Sequence, residues 1–381
     1  MILASMSLSA PWFADALLAW FEVHGRHSLP WQQDPTPYRV WVSEVMLQQT
    51  QVATVIPYYQ RFLARFPTVA SLAAAPLDEV LHLWTGLGYY ARARNLKKCA
   101  EAILALHGGE FPASRAAIEA LPGIGRSTAA AILALSRQER HAILDGNVKR
   151  VLARVFGIDG DPGSAPVLER FWAQAEALTP TRQVGPYTQA IMDFGATVCT
   201  RSRPACTLCP LAARCAAARQ GRQAELPGRK ARRQRGRREA FLLVAEAVAS
   251  GGSRCVYLER RPDSGIWGGL WAPPQFEARD RLVAWYRRQI GGLESREGLD
   301  GRQGLAGDDG FEALAPIDHA FTHFDLHLRP LRVICEGDLA AGGVAAPSRA
   351  PGRWYPLAAP LRVGLPQPIA SLLERLRSGI E

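Results

Sequence analysis

The chain has 381 residues, 48% of them hydrophobic, and a formal net charge of +10. That length suggests two domains with sizeable cores and excludes wholesale disorder. The basic excess is uneven: residues 1–225 hold 22 Lys/Arg against 17 Asp/Glu, residues 226–238 hold seven basic residues and no acid, and residues 239–381 hold 16 against 18. A polyanionic partner is therefore expected on the first domain and the linker.

The N-terminus has no basic start of a secretory leader. Instead Trp12, Phe13, Leu17, Trp20 and Phe21 recur at helical spacing around Asp15. No run approaches the ~20 apolar residues of a membrane span, so no membrane association is expected. Helix signals follow at Val40–Val55, Leu77–Trp84, Ala93–Leu106, Ser114–Ala120, Ser127–Leu135 and Val148–Phe156. Breakers fall at Pro57, Pro67, Pro76, Gly86/Gly88, Gly108-Gly109 and Pro122. Residues 1–220 are thus expected to form a mostly α-helical region, and 221–238 a mobile basic linker.

From residue 239 to 381 the pattern changes. Phe241–Ala249 and Cys255–Arg261 are strand-like runs joined by Ser250-Gly251-Gly252-Ser253, which predicts a hairpin. Leu282–Ile290 reads as a helix and Thr322–Ile334 alternates, with Phe324, Leu326 and Leu328 on one face and Asp325 and His327 on the other. The second domain is therefore α/β or α+β.

Three features carry chemistry. The first is Leu121-Pro122-Gly123-Ile124-Gly125-Arg126-Ser127, a glycine-containing turn opening an alanine-rich helix. Such a turn can offer Gly123, Gly125 and Ser127 to a DNA phosphate, with the helix dipole in support. The second is a pair of carboxylates in unlike surroundings. Glu44 lies among Trp41, Val45 and Met46, where desolvation should raise its pKa toward that of a general acid; Asp145, in Leu144-Asp145-Gly146-Asn147-Val148, should stay ionised. Such a pair suits cleavage of a glycosidic bond through an oxocarbenium-like state. Read singly, Glu44 is also compatible with a solvated helix position, and Asp145 or Asn147 with a helix cap. The third is Cys199, Cys206, Cys209 and Cys215, spaced C-x6-C-x2-C-x5-C. Seven cysteines with four clustered suggest a metal centre in a cytoplasmic protein, with zinc or an iron–sulfur cluster both open. Cys99, Cys255 and Cys335 read as buried thiols.

The cysteine spacing resembles the [4Fe–4S] loop of endonuclease III-like glycosylases. Together with Ser43–Val52, Trp84–Asn95, Leu121–Ala130 and Ile143–Arg150, it makes the chain resemble the MutY-type adenine DNA glycosylases. That resemblance implies a helix-hairpin-helix glycosylase fold with the hairpin near 116–135, a cluster loop at 199–215 holding one [4Fe–4S] cluster, and a Nudix-like C-terminal domain. It also implies double-stranded DNA containing 8-oxoguanine:adenine or guanine:adenine mispairs as partner, bound by a monomer.

Residue by residue, the resemblance implies that Glu44 protonates adenine, Asp145 stabilises the sugar cation and Asn147 orients Asp145. Gln48, Gln49, Leu87, Gly88 and Tyr89 would engage the duplex around the lesion, with Lys149 on a phosphate. Arg26, Trp31 and Leu47 would line the adenine pocket. Phe321-Thr322-His323 would read 8-oxoguanine, Thr322 replacing the family's commoner serine while keeping a hydroxyl. Related strand-nicking enzymes carry a Schiff-base lysine where this chain has Ser127, so hydrolysis without strand cleavage is expected. The metal-binding glutamate run of an active Nudix enzyme is missing from the sequence, which points to a binding module. Competing readings are an endonuclease III-like glycosylase/lyase for oxidised pyrimidines and a non-catalytic DNA-damage sensor. His319 and His327 read as structural.

Overall fold

The computed structural model describes residues 11–228, 235–249, 252–290, 310–338 and 352–379. The part of the expected linker at 229–234 and the hairpin residues Ser250 and Gly251 lie outside them. The chain divides into two compact units. One comprises Met1–Ala74 and Arg94–Arg232, the other Ala75–Ala93 and Arg233–Glu381. A segment read as part of the helical region thus belongs to the C-terminal unit.

In chain order the helices are α1 (Pro11–His24), α2 (Pro37–Leu47), α3 (Val52–Arg65), α4 (Val69–Ala74), α5 (Leu77–Trp84), α6 (Ala91–His107), α7 (Arg115–Glu119), α8 (Arg126–Arg137), α9 (Gly146–Phe156), α10 (Ala165–Leu178), α11 (Val184–Thr197) and α12 (Ala216–Gln220). Two sequence expectations are corrected here. The helix expected over 40–55 is two helices, because the chain leaves α2 at Gln48 and turns through Gln49 in the left-handed region (φ 59°). Pro57 lies inside α3 and does not end it. Burial of Val55, Tyr59 and Phe62 along the same helix offsets the lost backbone donor.

The core of the first unit gathers α1, α8, α9, α10 and α11 around Phe13, Leu17, Val151, Leu152, Phe171 and Phe194. Helix α8 is buried through Ala129, Ala130, Ala131 and Ala134, whose small side chains allow close packing. Trp20 meets Phe194 edge to face at 5.3 Å.

In the second unit, α5 spans the residues expected of it and is followed by the 85–90 turn. The described strands are β1 (Gly236–Val248), β2 (Arg254–Arg260), β3 (Trp271–Ala272), β4 (Gln275–Phe276), β5 (Glu312–Ala313), β6 (Ile317–Ala320), β7 (Phe324–Asp338) and β8 (Gly352–Pro356), with helices α13 (Arg279–Gln289) and α14 (Gln367–Ser378). They form one mixed sheet ordered β3-β2-β1-β7-β5, with β4 on β1, β6 on β7 and β8 on β2. The expected hairpin pairs Val248 with Arg254, and β7 runs parallel to β1 from Gly236↔Phe324. Strand β1 therefore begins inside the stretch expected to be linker. Its apolar run, from Leu242 to Ala245, is fully buried, with Leu243 and Ala245 in one core with Tyr257 and Leu282.

Candidate active site and cysteine loop

Helix α2 begins at a Thr36 cap, whose hydroxyl accepts from the Arg39 N–H at 3.3 Å, with Pro37 in the first turn. Trp41, Val42, Val45 and Met46 face the core. Glu44 is left on the side that opens into a cleft of about 530 Å³, shared with Arg26, Trp31, Leu47, Gln48, Ser127, Asp145 and Asn147. Burial pushes the Glu44 carboxyl up to about 7, and the nearby Asp145 charge adds to the effect. Gln49, next to Gln48, is exposed at the helix break.

Asp145 is both the cap of α9 and a wall of this cleft. Its Oδ1 accepts from the Val148 N–H at 2.7 Å. Burial raises its pKa, opposed by the Val148 and Asn147 N–H groups and by Arg150 and Lys149. Ser127 fixes the approach to this carboxylate, since its Oγ accepts from the Leu144 N–H at 2.9 Å. Asn147 is held by Arg150, whose Nη2 donates to Asn147 Oδ1 at 2.8 Å and to the Gly195 carbonyl at 2.7 Å. Gly195 is required there, because a Cβ would lie 2.6 Å from Asn147 Cβ. Lys149 Nζ points to the Pro162 carbonyl at 3.5 Å.

Three groups at this site had no role assigned from the sequence: Asp193, Gln189 and Arg150. Asp193 is fully buried and accepts from the Arg26 N–H (2.9 Å), Nε (3.1 Å) and Nη2 (2.5 Å), and from Gln189 Nε2 (2.9 Å). Arg26 is thereby locked at the cleft.

The turn between α7 and α8 leaves Gly123 and Gly125 exposed. Gly123 has φ 77° and packs where a Cβ would sit 2.7 Å from Asn95 Cβ, so only glycine fits without displacement. Gly125 caps α8 with open space around it. The first N–H groups of α8 are thus accessible to an anion.

The four clustered cysteines line one small cavity of about 20 Å³ with Arg154, Val155 and Phe194, and none is in a disulfide. Arg154, buried and also unforeseen, ties the loop together. It donates to the Thr200 carbonyl at 2.7 Å and to those of Arg201, Gln223 and Leu226 at 3.0 Å, and its Nη1 lies 3.4 Å from Cys199 Sγ. Among the described residues, no three His, Cys, Asp or Glu side chains are grouped as ligands of a single metal ion. Arg201, Arg203 and Arg214 are exposed, and the Arg214 guanidinium sits 4.9 Å over the Trp12 ring. Cys99, Cys255 and Cys335 are buried free thiols, as expected.

In the second unit, Tyr89 is 47% exposed with φ 50°, after Gly88 at φ 71°. Leu87 departs from its expected place against DNA: it is only 5% exposed. Arg92, a further residue with no role assigned from the sequence, is buried beneath the turn and donates to the Leu87 and Gly88 carbonyls, each at 3.2 Å. Phe321, Thr322 and His323 form the tight turn between β6 and β7, closed by Phe321 N–H to Phe324 O at 2.8 Å. Phe321 stacks on Phe324 at 4.7 Å, while Thr322 and His323 are exposed. His319 packs against Phe321, and His327 Nδ1 lies 2.7 Å from Asp318 Oδ1, so both have structural partners.

Residues 42–176 match the model of the HhH-GPD superfamily base excision DNA repair proteins, and residues 245–375 that of the NUDIX domain. The adenine DNA glycosylase of Buchnera aphidicola subsp. Schizaphis graminum is 34% identical over 95% of this chain and 98% of its own length. The chain belongs to the adenine DNA glycosylase family. The adenine DNA glycosylase of Homo sapiens is also 34% identical, over 85% of this chain and 67% of its own length. A thermostable thymine-DNA glycosylase aligns with 55% of this chain and 95% of its own, at 28% identity and a TM-score of 0.51. As a member of the adenine DNA glycosylase family the chain is a DNA-acting hydrolase of N-glycosyl bonds in base excision repair. It joins a helix-hairpin-helix unit to a Nudix-like one.

Proposed function

We propose that this enzyme excises adenine mispaired with 8-oxoguanine, or with guanine, and leaves the DNA backbone intact. The observation that carries the chemistry is Glu44, raised to about 7, in one cleft with Asp145. An adenine flipped from the stack, at a cost of a few kcal/mol, would enter between Arg26, Trp31 and Leu47. Gln48, Gln49 and Tyr89 would engage the opened duplex and Gly123 and Gly125 a phosphate. Glu44 then delivers its proton to adenine N7, so the base leaves as a neutral group. Asp145, ionised and held by Val148 N–H, steadies the sugar cation and takes a proton from the attacking water. Asn147, fixed by Arg150, keeps that carboxylate in place.

Ser127 supports hydrolysis over strand cleavage. Its hydroxyl is engaged with Leu144 N–H, and no amine stands at that position to attack the sugar. The exposed Thr322 and His323, carried on a stacked Phe321, are suited to reading the opposite 8-oxoguanine.

Cys199, Cys206, Cys209 and Cys215 fit one [4Fe–4S] cluster. They surround a cavity and do not converge on a point, which favours a multi-atom group over a single zinc ion, and Arg154 offers a charge-assisted donor to Cys199. When bound, such a cluster ties the loop into a rigid, redox-competent unit. We further propose a cytoplasmic monomer; no helix among the described residues is long and apolar enough to cross a membrane.

The test is adenine release from an 8-oxoguanine:adenine duplex, with thymine-glycol duplex and borohydride trapping as controls. Adenine release without nicking supports the reading. Trapping and nicking on thymine glycol would replace it with the lyase.

A further inference from the structure

The turn carrying Tyr89 belongs to the same compact unit as the Phe321-Thr322-His323 turn. Specific contacts account for this. Tyr90 Oη donates to the Leu365 carbonyl at 2.7 Å, and the Leu365 N–H points back to Thr85 Oγ1 at 3.4 Å. Trp271 Nε1 donates to Asp78 Oδ1 at 3.2 Å at the start of α5, and the Trp271 N–H donates to the Gly364 carbonyl at 2.9 Å. Gly364 itself lies so close to Leu81 that no side chain is tolerated there: a Cβ would overlap Leu81 Cβ, with Leu270 Cδ2 at 3.0 Å.

The result is a staple. The Asp78 end of the 78–90 segment is bound to Trp271 of β3, its Tyr90 end is bound to the 364–365 strap, and the strap is bound to Trp271. Beneath the turn, buried Arg92 holds the Leu87 and Gly88 carbonyls, and Trp84 Nε1 donates to Gly88 O at 3.1 Å. Tyr89 alone projects from a backbone that has no slack, in a left-handed conformation that a bulky residue seldom adopts.

We propose that Tyr90 and Trp271 are positioning residues for opposite-base discrimination. By fastening the Tyr89 turn to the unit that carries the 8-oxoguanine-reading turn, they make Tyr89 insertion depend on what that unit reads. This rests on the proposed roles of Tyr89 and of residues 321–323. Tyr90 and Trp271 touch neither base; they act through Tyr89.

The experiment is a double-mutant cycle on the full-length, cluster-loaded enzyme. Single-turnover adenine release at sub-saturating enzyme is compared on 8-oxoguanine:adenine and guanine:adenine duplexes. The Tyr90→Phe, Trp271→Phe pair removes two side-chain hydrogen bonds while keeping an aromatic ring at each position. The preference for 8-oxoguanine:adenine should fall about tenfold, the scale of one or two hydrogen bonds, while the rate at saturating enzyme stays within about twofold. In a Tyr89→Ala background the same pair should cause no further loss. Tyr90→Phe alone, the mildest change, should speed amide exchange of residues 85–92 and leave the α2 and α9 amides unchanged. If the two sets of substitutions multiply, or if the pair leaves the preference intact while Tyr89→Ala lowers it, the staple proposal falls and the Tyr89 reading survives. If Tyr89→Ala itself leaves the preference unchanged, the Tyr89 reading falls and the staple with it.

Discussion

Arg26 and Asp193, 167 residues apart, form a three-donor ion pair at the edge of the cleft that holds Glu44 and Asp145, with the carboxylate fully buried and the guanidinium side chain 30% exposed. Gln189 adds a fourth donor to the same carboxylate. This arrangement fixes Arg26 before any base arrives, which reduces the ordering cost of binding.

Replacing Arg26 by Ala leaves the Asp193 charge buried and removes two of its four donors. Loss of one partner from a buried pair costs ~3–5 kcal/mol, and water reaching the exposed side of Arg26 places the expected loss near the lower end, about 3 kcal/mol. Urea denaturation measures it. Arg26→Lys should recover part of the stability but not the fork, so adenine release should stay low even where the fold is restored.

The pH dependence follows from two raised carboxyls. Glu44 must be protonated to act, so release should decline as pH rises through about 7. Asp145 must be ionised, so release should also decline on the acid side, at a pH above the ordinary aspartate range because burial raises its pKa. The stability linkage has a definite sign. The folded chain holds the Glu44 proton more tightly than the unfolded chain, so this contribution is present below about 4.5 and is lost as pH rises through about 7. Glu44→Gln should therefore gain roughly 2–3 kcal/mol on wild type between pH 4 and pH 8. An unchanged stability difference between Glu44→Gln and wild type at the two pH values would contradict the raised carboxyl.

In the second unit, exposure separates recognition from structure. Thr322→Ala and His323→Ala remove exposed side chains, so stability should change by less than about 0.5 kcal/mol while the preference for 8-oxoguanine over guanine falls. Phe321→Ala loses a ring stacked on Phe324 and packed near Trp267, and should destabilise by about 2–3 kcal/mol. Thermal unfolding beside binding to the two duplexes tells these apart.

The cysteine loop predicts a brown protein with four iron atoms per chain and broad absorption toward the blue. Cys206→Ser or Cys209→Ser should lose iron and the colour together. Arg154→Ala should do so more slowly, since it frees four backbone carbonyls of the loop and its surroundings. A colourless protein with stoichiometric zinc would contradict the cluster.

Much of the site was legible because its signals are local. Glu44 sits among large apolar residues within one helix, Asp145 lies in a Gly/Asn-flanked turn, and the cysteines fall within one loop. Helix α5 was bounded by its own Pro76 and by the glycines after Trp84. What escaped depends on distance along the chain. Nothing near Arg26 announces Asp193, and nothing near Tyr90 announces Leu365. Pro57 misled for the complementary reason, since its local penalty is overridden by the packing of α3. The break after Leu47 was missed because a glutamine, Gln49, adopts the left-handed turn that glycine usually signals. Asp145 was read as a cap or a catalytic group, and the fold makes it both a cap and a wall of the cleft.

The most direct test of the central claim is single-turnover release of adenine from an 8-oxoguanine:adenine duplex by wild type, Glu44→Gln and Asp145→Asn. The account predicts release by wild type without strand nicking, and losses of at least about 100-fold in each variant with duplex binding retained. Release by Glu44→Gln at the wild-type rate, or no release by wild type, would contradict it.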